Sequence, residues 1–93
     1  MREKEVEKLL VDRTKARGGL ALKFVSPGFD GVPDRLVLLP KAKLGFVEVK
    51  APGKTPRPLQ IKRMQVLRKL GFKVFALDNI DEVEVVLDAI QAT

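Results

Sequence analysis

In GVPDRLVLLPKAKLGFVEVKAPG, residues 31 to 53, two carboxylates, Asp34 and Glu48, interrupt runs of Leu, Val and Phe that otherwise read as buried strands. If PKAKLG turns an antiparallel hairpin about Lys41, residues whose numbers sum to 82 face one another, and Asp34 and Glu48 are such a pair. Directly opposed side chains have Cβ atoms roughly 4.5–5.5 Å apart, a separation at which two bare carboxylates repel. A divalent cation between them reverses the sign, and hard ions such as Mg²⁺ take carboxylate and carbonyl oxygens with waters completing the shell. Strand alternation in FVEVK sets Phe46, Glu48 and Lys50 on one face and Val47 and Val49 on the other, so Glu48 and Lys50 point at the same place. Taken singly, Asp34 after Pro33 reads as a turn residue, and Glu48 with Lys50 as the polar face of a half-exposed strand. Their conjunction points to an oxygen-ligated cation beside a lysine.

The rest of the composition agrees with that chemistry. There is no histidine and no cysteine, which removes imidazole ligands, thiolate sites, disulfides and the usual general base. The formal net charge is +6, and between Arg13 and Leu77 there are 15 Lys or Arg against three acids, Asp30, Asp34 and Glu48. Such a basic block is suited to phosphate backbones, whose neutralisation releases condensed counterions. An acid inside it repels that ligand unless it carries a cation. With 45% apolar and 32% charged residues, the chain reads as one soluble globular domain, residues 1–93, with a single modest core. No apolar run approaches the ~20 residues of a membrane span, and MREKEVEK lacks the apolar stretch of a signal peptide, so a cytoplasmic location is expected.

The elements that must position these residues follow from periodicity. Residues 3 to 17 read as a helix with Val6, Leu9 and Leu10 at helical spacing, stopped by Gly18 and Gly19. LALKFV (20–25), RLVLL (35–39), FVEVK (46–50) and FKVFAL (72–77) read as strands. SPGFDGVP is a loop of turn formers. Pro58 suits the first turn of a helix running to about Leu70, with Gly71 as its stop. Residues 80 to 92 read as a last helix whose early acids, Asp81 and Glu82, suit its positive end. The class is α/β, in the order α-β-β-β-α-β-α.

GVPDR, an apolar strand, FVEVKAPG, and PLQ opening a helix that ends at Gly71 together resemble the VRR-Nuc (virus-type replication-repair nuclease) domain of the PD-(D/E)xK nuclease superfamily. The resemblance spans nearly the whole chain. Ala51, where a glycine is frequent, and Arg35, where an apolar residue is frequent, depart from the common pattern. The resemblance implies a restriction-endonuclease-like mixed sheet of about four strands flanked by helices, and a metal-dependent DNA endonuclease, located in the host cytoplasm if phage-encoded. By the same resemblance, Asp34 and Glu48 bind Mg²⁺ or Mn²⁺ with the Val49 carbonyl, and Lys50 orients the attacking water or stabilises charge on the phosphate. Gln60 bonds to the scissile phosphate or to Lys50, or is simply a solvated helix residue. Among the first-helix acids Glu3, Glu5 and Glu7, Glu3 fits best, three residues before Val6 and seven before Leu10. DNA contacts are expected from Lys23, Arg35, Lys54, Arg57, Lys62 and Arg63, with Arg68 and Lys69 further along the helix. With no Trp, no Tyr and five Phe placed mostly in strands, the chain lacks the platforms of a single-strand binder, so the expected partner is duplex or branched DNA. Stand-alone members resemble Holliday-junction resolvases, which implies a homodimer, and the apolar residues of EVEVVLDAI read equally as a surplus that forms its surface or as a fully used core. The alternatives are a nuclease for flaps or other branched DNA, and a small non-catalytic DNA-binding protein.

Incubating a labelled duplex with the protein in Mg²⁺, Mn²⁺ or EDTA separates these: a nuclease cuts only with divalent metal, whereas a binder's affinity survives EDTA and leaves the DNA intact. Asp34→Asn, Glu48→Gln and Lys50→Ala are each expected to abolish cutting while DNA binding persists, because they remove transition-state stabilisation and not phosphate contacts. Full activity in either acid variant would discard the site.

Overall fold

A computed structural model describes residues 2–92. Helix α1 (Glu3–Ala16) is followed by strands β1 (Leu20–Lys23), β2 (Arg35–Leu39) and β3 (Lys43–Val49), helix α2 (Pro58–Lys69), strand β4 (Lys73–Leu77) and, after a 3₁₀ turn at Ile80–Glu82, helix α3 (Val83–Gln91). The element order is the one that periodicity implies. The four strands form one mixed sheet in the order β1-β2-β3-β4; the first three are antiparallel, and β4 joins β3 in parallel across the α2 crossover. A parallel neighbour needs such a crossover because no tight turn can return the chain to the same end of the sheet.

Strand alternation divides the core in two. Ala21, Val37, Leu39, Val47 and Val49 face α1 and α3, meeting Val6 and Leu10 from one helix and Val83, Val86, Leu87 and Ile90 from the other. Phe46 and Val74 face α2 and its Met64, with Phe24, Leu36, Leu44 and Leu67 packed around them. Phe46 joins the Phe24 ring, 5.5 Å away, to the edge of Phe72, 5.7 Å away. At about 25 cal/mol per Å² of apolar surface removed from water, these two layers supply the main force holding the helices to the sheet. On its outer side α1 is clipped to α3: Arg13 pairs with Glu84, and Arg17 pairs with Glu84 and Asp88 and donates to Gln91. The two guanidiniums hold the Glu84 carboxyl below the usual carboxylate range.

Three boundaries differ from the sequence reading by more than a single residue, each for a local reason. The β1 ladder ends at Lys23 and not at Val25: Phe24 still donates to the Asp34 carbonyl (2.8 Å), but the next partner on the other strand is Pro33, which has no N–H. Strand β3 begins at Lys43, three residues earlier than expected, because the hairpin loop needs only Pro40, Lys41 and Ala42. Lys41 and Ala42 take left-handed backbone (φ 67° and 61°), the twist that suits short hairpins. The last helix opens with a 3₁₀ turn whose Asp81 N–H is capped by the Asn79 side chain (2.9 Å).

Of the two readings of α3, the structure bears out the used core: Val83, Val86, Leu87 and Ile90 are buried, and only Val85 of its large apolar residues is exposed. Helix α3 lies against both the sheet and α1, so it needs two apolar stripes where a surface helix needs one. The uncovered apolar surface lies on the opposite side. Leu20 and Leu22 of the edge strand β1 are exposed, and Leu36, Leu38 and Leu44 beside them are half-buried, because α2 covers only the β3–β4 half of its face.

Gly45 marks the tightest contact beneath α3. A Cβ there would sit 2.6 Å from both Cδ1 and Cγ1 of Ile90. Gly45→Ala is therefore expected to lower stability by about 1–3 kcal/mol through overpacking, and the loss should shrink in an Ile90→Ala background; a chemical-denaturation double-mutant cycle measures the coupling.

Candidate functional site

Pro33, fully buried, shapes the site by what it lacks. The β2–β3 register runs Arg35↔Val47 through Leu39↔Lys43, so each pair sums to 82, as the hairpin about Lys41 implies. Continued toward the open end it sets Asp34 opposite Glu48 and Pro33 opposite Val49. Pro33 offers no N–H, and the Val49 N–H instead donates to the Asp34 carboxylate, Oδ2 at 3.2 Å. On the other edge of β3 the Lys50 N–H donates to the Leu77 carbonyl of β4 (2.8 Å). The two acids and Lys50 are thus fixed at the end of the sheet, where the β2–β3 ladder stops.

Glu48 is fully buried. Its Oε2 accepts from Gln60 Nε2 at 2.8 Å and lies 3.3 Å from the Lys50 ammonium, while Oε1 is buried with no hydrogen-bond partner among the described residues. Gln60 is itself buried at the start of α2, where its Oε1 accepts the Arg57 N–H (2.8 Å), the reciprocal half of a capping box. That fixes the amide's orientation: a backbone N–H can only donate and a carboxylate can only accept. Burial pushes the Glu48 carboxyl up from the usual range and the Asp34 charge adds to the rise, while Lys50 and the Asp34 backbone N–H oppose it. A buried carboxylate with a second acid beside it and one oxygen unpartnered is an unfavourable arrangement as it stands. It is a fitting one for a hard cation, which takes the free oxygen and relieves the repulsion. Among the described residues no three acids converge, so such a cation would be held by two carboxylates with the backbone, waters and substrate oxygens.

The structure separates the expected residues into those at this site and those elsewhere. Asp34, Glu48, Lys50 and Gln60 come together. Glu3 does not: it is exposed in the first turn of α1, and Glu7, one turn on, is the acid that reaches the sheet. Its partner is Arg35, whose Nε donates to Glu7 (3.0 Å) and whose Nη1 donates to the Ala21 carbonyl (3.0 Å). By alternation Arg35 points to the α1 side, away from Asp34, and its Nε and Nη1 are already engaged there. Lys23, Lys54, Arg57, Lys62 and Lys69 are exposed. Arg68 is exposed but donates twice to the Val74 carbonyl. Arg63 is half-buried, stacked over Phe29. The outer face of α2 forms a shallow groove lined by Lys62, Arg63, Gln65, Val66, Arg68 and Lys69, one helix face away from the acids. Asp78, absent from the sequence reading, accepts the Gly53 N–H (3.2 Å) and ties down the loop that follows Lys50. Its signal in the sequence is slight: one acid directly after the strand expected to pair with FVEVK.

No family model matches the chain. It is 52% identical over 81 residues, 87% of each chain, to a protein of Acyrthosiphon pisum secondary endosymbiont phage 1 named "Putative nuclease p44". A solved structure described as "VRR_NUC domain" superposes with a TM-score of 0.86 at 34% identity, covering 92% of this chain and 94% of that one.

The raised Glu48 carboxyl sets the sign of one stability effect. Between the ordinary value of 4.5 and its raised value the folded chain binds more protons than the unfolded one, so the Glu48 contribution worsens as pH rises through that interval and stays unfavourable above it. Without metal, Glu48→Gln is expected to melt above the wild type at neutral pH, and the gap should close in acid below about pH 4.5. Added Mg²⁺ should raise the wild-type melting temperature and leave that of Glu48→Gln unchanged. Thermal melts across pH with and without metal check both statements.

Proposed function

The chain belongs to the VRR_NUC nuclease family, and from that premise we propose that it is a Mg²⁺- or Mn²⁺-dependent endodeoxyribonuclease acting on branched DNA as a homodimer. The observation that carries the reading is the buried Glu48 carboxylate, which keeps one oxygen free opposite Asp34 and its other oxygen beside the Lys50 ammonium. Asp34 and Glu48 would hold the cation. The Val49 carbonyl would assist, a reading supported by the extended strand, in which it leaves on the same edge as the N–H that reaches Asp34. When bound, the metal supplies polarisation of the phosphate and acidification of water.

The chain's own residues do the rest. The Lys50 ammonium orients the attacking water or neutralises charge that builds on the phosphate oxygens as the new P–O bond forms and the old one breaks. Gln60 keeps the Glu48 carboxylate pointing into the site. It is a positioning residue, bound to the acid and not to Lys50. Asp78 steadies the loop bearing Lys54, so that a cationic segment lies next to the scissile bond. Glu3 has no part in this arrangement, and Arg35 with Glu7 braces α1 against the start of β2.

Selectivity for four-way junctions rests on symmetry. One site nicks one strand, while paired cuts on strands related by a two-fold axis need a two-fold dimer. The open half of the sheet, with Leu20 and Leu22 exposed, supports a second copy there in place of the α3 surface. Light scattering is expected to give twice the 10.4 kDa chain mass, and synthetic junctions to be cut in preference to flaps and linear duplex. A monomer that cuts flaps and spares junctions would overturn the dimer and leave the metal site in place. Lys62→Ala with Lys69→Ala should weaken binding to all sequences alike and make the log-affinity against log-salt slope shallower by about one unit per lost phosphate contact. An unchanged slope would put the DNA on another face.

A further inference from the structure

Four of the five phenylalanines, Phe24, Phe46, Phe72 and Phe75, pack in or against the two faces of the sheet. Phe29 does not. It sits in the loop between β1 and β2, 40% exposed, and the loop is built to hold it there. The Phe29 N–H donates to the Ser26 carbonyl (3.1 Å). The Arg63 guanidinium carbon lies 3.9 Å from the ring centroid, and the Arg63 Nε donates to the carbonyl of Asp30 (2.6 Å), so one side chain covers the ring and staples the next residue. Gly31 then passes α2 in left-handed backbone (φ 87°), where a Cβ would fall 2.8 Å from Leu59 Cγ. Two residues on comes the buried Pro33, and then Asp34.

The placement relates the ring to the chemistry. Arg63 and Gln60 stand three residues apart on one side of α2, neighbours at about 5–6 Å between Cβ atoms. Gln60 holds Glu48 and Arg63 holds Phe29, so the two side chains that hold the acid and the ring leave α2 about one helical turn apart. Exposed Arg57 and Lys62 flank that turn. A base inside a duplex has both faces stacked and offers neither, whereas a base at a branch point has a free face. A fixed aromatic ring backed by a guanidinium binds such a face without regard to its identity.

We propose that Phe29, clamped by Arg63, stacks on an unpaired or unstacked base at the branch point of the DNA, beside the scissile phosphate. The inference rests on the nuclease reading and adds to it the residue that tells branched from linear DNA. It also explains why the loop leading to Asp34 is pinned to α2: base recognition and the first acid move as one body.

The test uses a four-way junction and a matched linear duplex, each carrying 2-aminopurine at positions flanking the branch. Binding of the full chain is titrated in EDTA, and cutting is followed in Mg²⁺. Wild type is expected to quench 2-aminopurine at a branch position, and Phe29→Ala to lose that quench together with about tenfold of the junction-over-duplex preference. Phe29→Trp should restore both. Phe29→Leu, which keeps an apolar anchor for the loop but has no π-face, should restore neither, which separates stacking from a merely structural role. Retention of quench and preference in Phe29→Leu overturns the proposal. Metal-dependent cutting by wild type with no quench at any branch position overturns it too, with the nuclease reading intact. A wild type that neither binds nor cuts DNA overturns both.

Discussion

A carboxylate taken wholly out of water governs this molecule. Glu48 sits near the end of a strand whose other inward residues are apolar, and the chain meets the cost of burying it with an amide from α2 and an ammonium two residues along. Each donor requires other structure to be in place. Gln60 reaches the acid because it is also locked to the start of its own helix, and Lys50 does so because its backbone is paired to β4. Sheet order, crossover helix and helix cap therefore converge on one functional group, and the remaining oxygen is left for an outside ligand.

The two sides of the sheet are finished to different degrees, and the difference follows function. The α1–α3 side is closed, with twelve buried residues and an ionic clip at its rim. The α2 side is half open: one helix covers β3 and β4, its core is small, and the leucines of β1 lie bare beside half-buried ones of β2. The proposed site is on the open side. A surface that is to admit a wide, charged polymer cannot also be sealed by helices, and the more extensive core lies on the other side.

Much of this was legible in the residue order. The hairpin register follows from two apolar runs about a short turn, and strand alternation alone sets Glu48 and Lys50 together. Gln60 was visible as a type at a position, but its partner was not, because whether an amide meets Lys50, phosphate or Glu48 depends on how α2 is rotated over the sheet. Glu3 and Glu7 lie on nearly the same helical stripe, and which one reaches β2 depends on where the helix begins relative to the strand ends. Arg35 was read as a DNA contact because its charge is visible in sequence and its direction is not; that direction is set by the parity of β2 and the nearness of α1. The valines of α3 looked superfluous only while a single neighbour was imagined for that helix. Phe29 was hidden for the opposite reason: a loop has no period, and nothing in SPGFDG announces that Arg63 will close over the ring.

The parallel pairing of β4 bears on how the catalytic group comes into being. Three antiparallel strands joined by local connections can assemble from neighbouring segments, but β4 must wait for a crossover of more than twenty residues, and contacts distant in sequence form late. A chain that has reached only the three-stranded stage has both acids at the fraying end of a ladder, in water, with neither the amide that holds Glu48 nor the carbonyl that fixes the Lys50 backbone. The step that completes the sheet is thus also the step that assembles the reactive centre. On the proposed reading, a chain short of that step would lack both partners of Glu48, and its activity would wait on a finished sheet.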